Sequence, residues 1–251
     1  MKTNTWRNRW ALLLALSCVA TVAWSQSETL IVAAFSALKA AAPLPESWKP
    51  FGVSSATPRT RYTLADDTGV TVVKAEANAS ASALSRDIKV NLADYPTLKW
   101  RWKISNLLKN SDISRKDGDD FPARVYVMFD YPLEKLSLGS RTALRLARAL
   151  HDPNLPAATL CYVWDGKAPA GTIVPSSYTS LMRMIVVESG GARVNRWLDM
   201  ERDVAADFKA AFGEEAPPVM AIAIASDTDN TGESVVAFFG DISFNKQKVS
   251  K

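Results

Sequence analysis

Along most of the chain apolar and polar positions alternate in short runs, and clusters of Pro, Gly, Asn and Asp separate one run from the next. The sharpest alternation spans residues 98–104. Leu98, Trp100, Trp102 and Ile104 take one face and Lys99, Arg101 and Lys103 the other, as in a strand with one buried and one solvated side. Residues 123–130 repeat the pattern, with Ala123, Val125, Val127 and Phe129 opposite Arg124, Tyr126, Met128 and Asp130. Further strands are predicted over 30–35, 61–64, 70–75, 82–88, 160–164, 181–188, 219–226 and 235–244, the last bent at Gly240. ADDTG at 65–69 predicts a hairpin turn, and PLPESWKPFG reads as a loop anchored by Trp48. Trp100 and Trp102 share their face with Leu98 and Ile104 and are expected in the core.

Two stretches change to helical spacing. Residues 140–150 carry Arg141, Arg145 and Arg148 along one side, expected as a solvated basic face, with contact to an anionic surface as the alternative. In residues 203–212, Asp203 is placed to cap the first turn, Val204, Phe208 and Phe212 form one stripe, and Gly213 ends the helix. About ten strands and two short crossover helices predict a mostly β protein, a two-sheet antiparallel jelly-roll-like sandwich.

Composition narrows the classes. At 251 residues, 47% hydrophobic and 22% charged, the chain is neither disordered, collagen-like nor a disulfide-dense miniprotein. A chain of this size buries enough surface to hold a core without metal or disulfides. Residues 1–10 contain Lys2, Arg7 and Arg9 and no acid, and are followed by an apolar run of 14 residues and then Ser25 and Gln26. That order predicts a signal peptide at 1–25, cut after Ser25, and a single β-sandwich domain at 26–251 in the periplasm or outside the cell. A retained anchor is disfavoured because 14 interrupted apolar residues fall short of a span. Ala15, Leu16 and Ser17 make a poor lipidation signal for Cys18. Cleavage lowers the formal net charge from +4 to +1, which removes the main support for a nucleic-acid partner. Only Cys161 remains in the mature chain, so no internal disulfide is expected, and the protein is expected to be a monomer. The one histidine, His151, lies in the turn HDPNLP, an unsuitable base for a Cys161 nucleophile.

Several segments taken together, LPESWKPFG, TLKWRWKI, DDFPARVYVMFD, CYVWDG, DFKAAFG and AIASDTDNTGESVVAFFGDISF, resemble a bacterial family of exported proteins catalogued as domain of unknown function 3047. The resemblance runs through nearly the whole mature chain in the same order. It implies an architecture like the galactose-binding and carbohydrate-binding-module jelly rolls, and no catalytic residue carries over, because the family has no established activity.

Three groups of residues are candidates for chemistry. DTDNTG at 227–232 imitates the first half of a calcium loop, but Phe238 stands where a bidentate Glu belongs. Asp227 and Asp229, with Asp119 and Asp120 from the acidic DGDD segment, are the candidate metal ligands; a self-bonded turn and direct ligand contact through Asp227, Asp229 and Asn230 are the other readings. The same carboxylates keep a glycosidase-like enzyme open. The third group is the polar strand face of Arg101, Arg124, Tyr126, Asp130 and Arg183. Converged, these would suit an acidic glycan; the plainer reading pairs the arginines with Asp130 and Glu188. Tyr162 and Trp164 are expected near a loop rim. The resulting expectation is a non-catalytic binding module for a carbohydrate or other cell-envelope ligand, without a cofactor except a candidate calcium ion. A glycan-active enzyme and a structural or protein-partner role are the alternatives.

Overall fold

The structure is a computed structural model that describes residues 28–52, 57–150, 153 and 155–246; the segment 1–25 expected as a signal peptide and His151 lie outside the described residues. Thirteen strands form two stacked sheets. They are β1 (Thr29–Ala33), β2 (Lys49–Phe51), β3 (Arg61–Asp67), β4 (Val70–Asn78), β5 (Ala81–Val90), β6 (Thr97–Ile104) and β7 (Arg124–Phe129). After helix α1 (Leu138–Leu150) come β8 (Ala158–Asp165), β9 (Ile173–Pro175), β10 (Met182–Ser189) and β11 (Leu198–Asp203). Helix α2 (Val204–Phe212), β12 (Val219–Asp227) and β13 (Ser234–Asn245) complete the chain. The first sheet has the order β11-β6-β13-β4-β3, with β1 also paired to β13, and the second β2-β5-β12-β7-β8-β10-β9.

Pairing is antiparallel except between β8 and β10, which run parallel. The chain leaves β8, descends through β9 at the sheet edge and returns as β10 between them, which forces that one parallel pair. Of the two helices, α2 carries the chain from the first sheet to the second. Helix α1 joins β7 to β8, which are neighbours in one sheet, so only α2 crosses between layers.

The alternation predicted for β6 and β7 is the alternation observed. Leu98, Trp100, Trp102 and Ile104 meet Val125, Val127, Phe129, Ile222 and Ile224 from the other sheet in one continuous core. Aromatic rings knit the layers together: Trp100 stacks on Tyr162 at 5.2 Å and Trp102 meets Trp164 at 6.1 Å between ring centroids. The bend at Gly240 is a bulge in β13 between Phe239 and Ile242. A Cβ there would come within 2.5 Å of Arg101 Cγ, so the Arg101 side chain lying across the bulge leaves room only for glycine.

Three strands were not legible as strands. Lys49–Phe51 and Ile173–Pro175 are three-residue edges beside Pro and Gly. Leu198–Asp203 contains only two apolar residues, and it forms because Asp199 and Glu201 face Arg101 and Lys99 across the ladder.

Helix α2 plugs one end of the sandwich. Val204 and Phe208 are buried, Phe208 packs edge-on to Phe129 at 4.6 Å, and Phe212 stacks on Phe208. Asp203 Oδ1 accepts from the Ala206 amide at 2.9 Å, and Gly213 ends the helix in the left-handed region. Buried Asp207 accepts from the Tyr162 hydroxyl at 2.8 Å and is ion-paired with Arg202. Asp203→Ala removes a cap and is expected to cost about 1 kcal/mol, lowering the melting temperature by roughly 2–4 °C. Asp207→Ala, which strands a buried hydroxyl and a cation together, is expected to cost distinctly more in the same measurement.

Candidate functional site

The outward residues of β7 are Arg124, Tyr126 and Met128. Their ladder partners on β12 are Ala225, Ala223 and Ala221, and on β8 Val163, Cys161 and Thr159. The apolar strand MAIAIAS thus sends its isoleucines into the core and its alanines outward. Small side chains beside Tyr126 and Met128 leave a trough on the outer face of the second sheet. It is walled by Phe51 and Arg59 on one side, by Tyr178 to Met182 on another, and by α1 at the end. Its volume is about 1050 Å³, at the upper end of what small-ligand sites occupy.

One end of the trough is built from charge. Arg124 is 3% exposed. Its Nε donates to Asp227 Oδ1 at 2.9 Å, its Nη2 lies 2.5 Å from Asp227 Oδ2 and 3.1 Å from Asp119 Oδ1, and its carbon rests 4.5 Å from the Phe121 ring centroid. Asp120 is fully buried and accepts from the amides of Thr231 at 2.6 Å and Asn230 at 3.3 Å. The acidic DGDD segment therefore holds the DTDNTG turn from outside, and the turn is not self-bonded through Asp227. Tyr178 donates to Asn230 Oδ1 at 3.0 Å and closes the rim.

Carboxylate oxygens of Asp120, Asp227 and Asp229 lie within 4.8 Å of one another. Asp119, the fourth residue expected as a metal ligand, instead faces Arg124. The guanidinium is already the cation of this cluster, so a calcium ion would compete with it for both Asp227 oxygens. Burial lifts the Asp227 carboxyl to about 7 against the pull of Arg124, with Asp120 adding repulsion. Burial and then Asp120 also raise Asp229, whose carboxylate is exposed and accepts from no other residue's donor among the described residues. Burial pushes the Tyr126 hydroxyl up as well, with Arg124 opposing, and that hydroxyl has no hydrogen-bond partner among the described residues.

The other expected site residues lie elsewhere. Arg101 projects from the outer face of the opposite sheet, over the Trp197 ring at 4.6 Å and beside Asp199. Arg183 donates to the carbonyls of Ala211 and Ser180, capping the end of α2. Asp130 is exposed at the far end of β7 from Arg124 and does not line the trough. Tyr162 and Trp164, expected near a rim, are fully buried, because the even positions of β8 face the core. The arginines therefore do not converge into an acidic-glycan groove, and Glu188 pairs with Arg193 rather than with any of them. The α1 arginines do not form one solvated basic face: Arg141 and Arg148 are half-buried and donate to the backbone carbonyls of Glu134 and Leu155, and only Arg145 of the three is exposed.

Sequence reasoning missed Arg59, Tyr178, Leu144 and Met182. The first two sit in loops without periodicity, and the others are ordinary apolar residues until the fold sets them around one cavity. The one readable signal was the row of alanines facing out of β12, since a strand with an all-small outer face leaves room above it.

Residues 46–243 match a family profile described as Protein of unknown function (DUF3047). No curated protein matches the chain. Among solved structures it is similar to two mutants of the family 29 carbohydrate-binding module CBM29-2, one of them complexed with cellulohexaose. Each is 11% identical and covers 87% of this chain and 92% of that one, at a TM-score of 0.34. It is also similar to a family 12 xyloglucanase from Bacillus licheniformis, 7% identical over 88% of this chain and 93% of that one, at a TM-score of 0.38. Likenesses this slight carry no argument about ligand or activity.

Two outcomes follow from the charge cluster. Arg124→Leu leaves buried carboxylates uncompensated and is expected to destabilise the fold by about 3–5 kcal/mol in chemical denaturation. The pH dependence runs downward: the folded-state Asp227 value of about 7 lies above the ordinary 3.8, so the folded chain holds the extra proton between those values. Stability from this group is therefore present below about pH 4 and declines as pH rises through 7. Melting curves at pH 5 and 8 should differ in that sense, and Asp227→Asn should flatten the difference.

Proposed function

The chain belongs to the DUF3047 family, and we propose that it is an exported module that binds a cell-envelope or environmental glycan in the trough of its second sheet. The observation that carries this reading is the set of polar groups around one cavity that no other described residue satisfies. Tyr126 offers a hydroxyl from the floor, Asp229 a carboxylate from one rim, and exposed Arg59, which makes no ion pair among the described residues, a guanidinium from another. Phe51 and Met128 add apolar surface for the faces of sugar rings. A sugar presents that combination of hydroxyl edges and C–H faces. With Arg124 neutralised by Asp119 and Asp227, the site favours a neutral glycan over an acidic or sulfated one.

A carboxylate-based glycosidase is the second reading, favoured by the value of about 7 for Asp227 beside Asp229. Against it, both Asp227 oxygens are held by Arg124, which leaves the carboxyl poorly placed to give a proton to a leaving group.

Thermal unfolding of residues 26–251 against neutral, acidic and sulfated oligosaccharides tests the proposal. A bound glycan at one hundred times its dissociation constant is expected to add about 2.7 kcal/mol, a rise of roughly 5–10 °C. Tyr126→Phe is expected to weaken that binding about fivefold at unchanged melting temperature of the free protein, the loss of one hydrogen bond. No stabilisation by any glycan would overturn the reading. Release of reducing ends, lost in Asp229→Asn, would replace it with the enzyme.

A further inference from the structure

Among the described residues the trough carries its formal charges toward one end. Along β7 the outward residues run from Arg124 through Tyr126 to Met128, and the residues around them change in the same direction. Around Arg124 stand Asp119, Asp227, Asp229, Asn230 and Tyr178. Beyond Met128, whose ladder neighbour Thr159 is itself paired with Met182, the lining holds Leu144, Ala147, Leu155 and Leu181, with Ser140, Thr159, Thr179 and Ser180 as its uncharged polar members. Helix α1 forms this apolar end by turning its small face, Gly139, Ser140, Ala143 and Ala147, toward the cavity. Leu144 is buried there, and the helix leaves Leu138 and Leu146 to solvent. A bare oligosaccharide makes less use of such a compartment, because the lining offers few hydroxyls and no charge there among the described residues to replace the water its own hydroxyls would lose.

We infer that the ligand of this trough is an amphiphile, an uncharged sugar head joined to an aliphatic chain, with the head at the Tyr126 and Asp229 end and the chain under α1 between Met128, Leu144 and Met182. This rests on the glycan reading above and narrows it. Two features support one occupant spanning both ends. One cavity has both Asp229 and Leu155 in its lining, and among the described residues the formal charges that line it are on Arg59, Asp119, Arg124, Asp227 and Asp229, with Arg124 and Asp227 toward the opposite end of the β7–β12 ladder from Met128. A fatty-acid carboxylate entering head-first would meet Asp229 and Asp227 along with Arg59, whereas a hydroxylated head can donate to the carboxylates and accept from the guanidinium.

Binding of methyl β-D-glucopyranoside, octyl β-D-glucopyranoside below its critical micelle concentration, and 1-octanol, measured by titration calorimetry on residues 26–251, tests the inference. The octyl glycoside is expected to bind about fiftyfold more tightly than the methyl glycoside, the gain from about three methylenes leaving water at about 0.8 kcal/mol each. Ala147→Trp and, as a second variant in case the first fails to fold, Ala143→Trp should abolish that gain and leave the methyl glycoside's affinity unchanged. Tyr126→Phe should weaken both glycosides equally. Equal affinity for the two glycosides, or a gain that survives both tryptophans, would overturn the inference and leave the glycan reading standing. Octanol binding as tightly as the octyl glycoside, with Tyr126→Phe silent, would overturn both.

Discussion

A single guanidinium holds the functional face in shape. Arg124 is anchored on β7, yet its partners come from the loop before that strand and from the end of β12, more than one hundred residues later. It lies buried among Asp119, Asp120 and Asp227, where each carboxylate alone would be costly to keep from water. One cation paired with Asp119 and Asp227 lowers that cost, the Phe121 amide adds a donor to Asp227, and the amides of Asn230 and Thr231 serve Asp120. The loop and the turn cannot separate without exposing an uncompensated charge. For that reason the trough groups that no other described residue satisfies, Asp229 and the Tyr126 hydroxyl, sit on a fixed frame and not on free loops.

The price of that frame is visible in the protonation of Asp227. Burial raises its carboxyl into the neutral range even with Arg124 beside it, so the charge cluster serves position more than stability. Stability comes from the opposite side of the same strand. Val125, Val127 and Phe129 face the tryptophans of β6, and the stacked pairs Trp100–Tyr162 and Trp102–Trp164 join the layers. Strand β7 thus divides its work by parity, with odd positions in the core and even positions at the trough. Strand β12 does the same with Ile against Ala, and the difference in side-chain size between its two faces is what makes a cavity of the outer one.

Helix α1 gives the trough its asymmetry. It is inserted between two neighbouring strands of one sheet, a connection that a short turn would serve, and its small face is spent on walling a cavity. Helix α2 answers a different need. It closes one end of the sandwich with Phe208 and Phe212 and brings Asp207 to the Tyr162 hydroxyl, which explains why an ionisable group is tolerated inside the core.

The sequence by itself determined the faces. Period-two alternation placed Trp100 and Trp102 inward and Arg124 and Tyr126 outward, and the cap and stop residues of α2 were readable, because these signals depend only on residues close along the chain. It also marked the acidic segments 117–120 and 227–232 as neighbours worth testing. Tertiary structure alone decided which outward faces meet. Arg101 and Arg124 have the same local pattern, but register puts β6 and β7 in opposite sheets, so their outer faces point away from each other. Tyr162 and Trp164 sit inward for the complementary reason: β8 is buried on both sides, and its run from Leu160 to Trp164, apolar at every position, gives no sign of which parity faces the core. The trough, the burial of Arg124 and the apolar compartment under α1 all arise from pairings between distant segments, and nothing in local spacing specifies those.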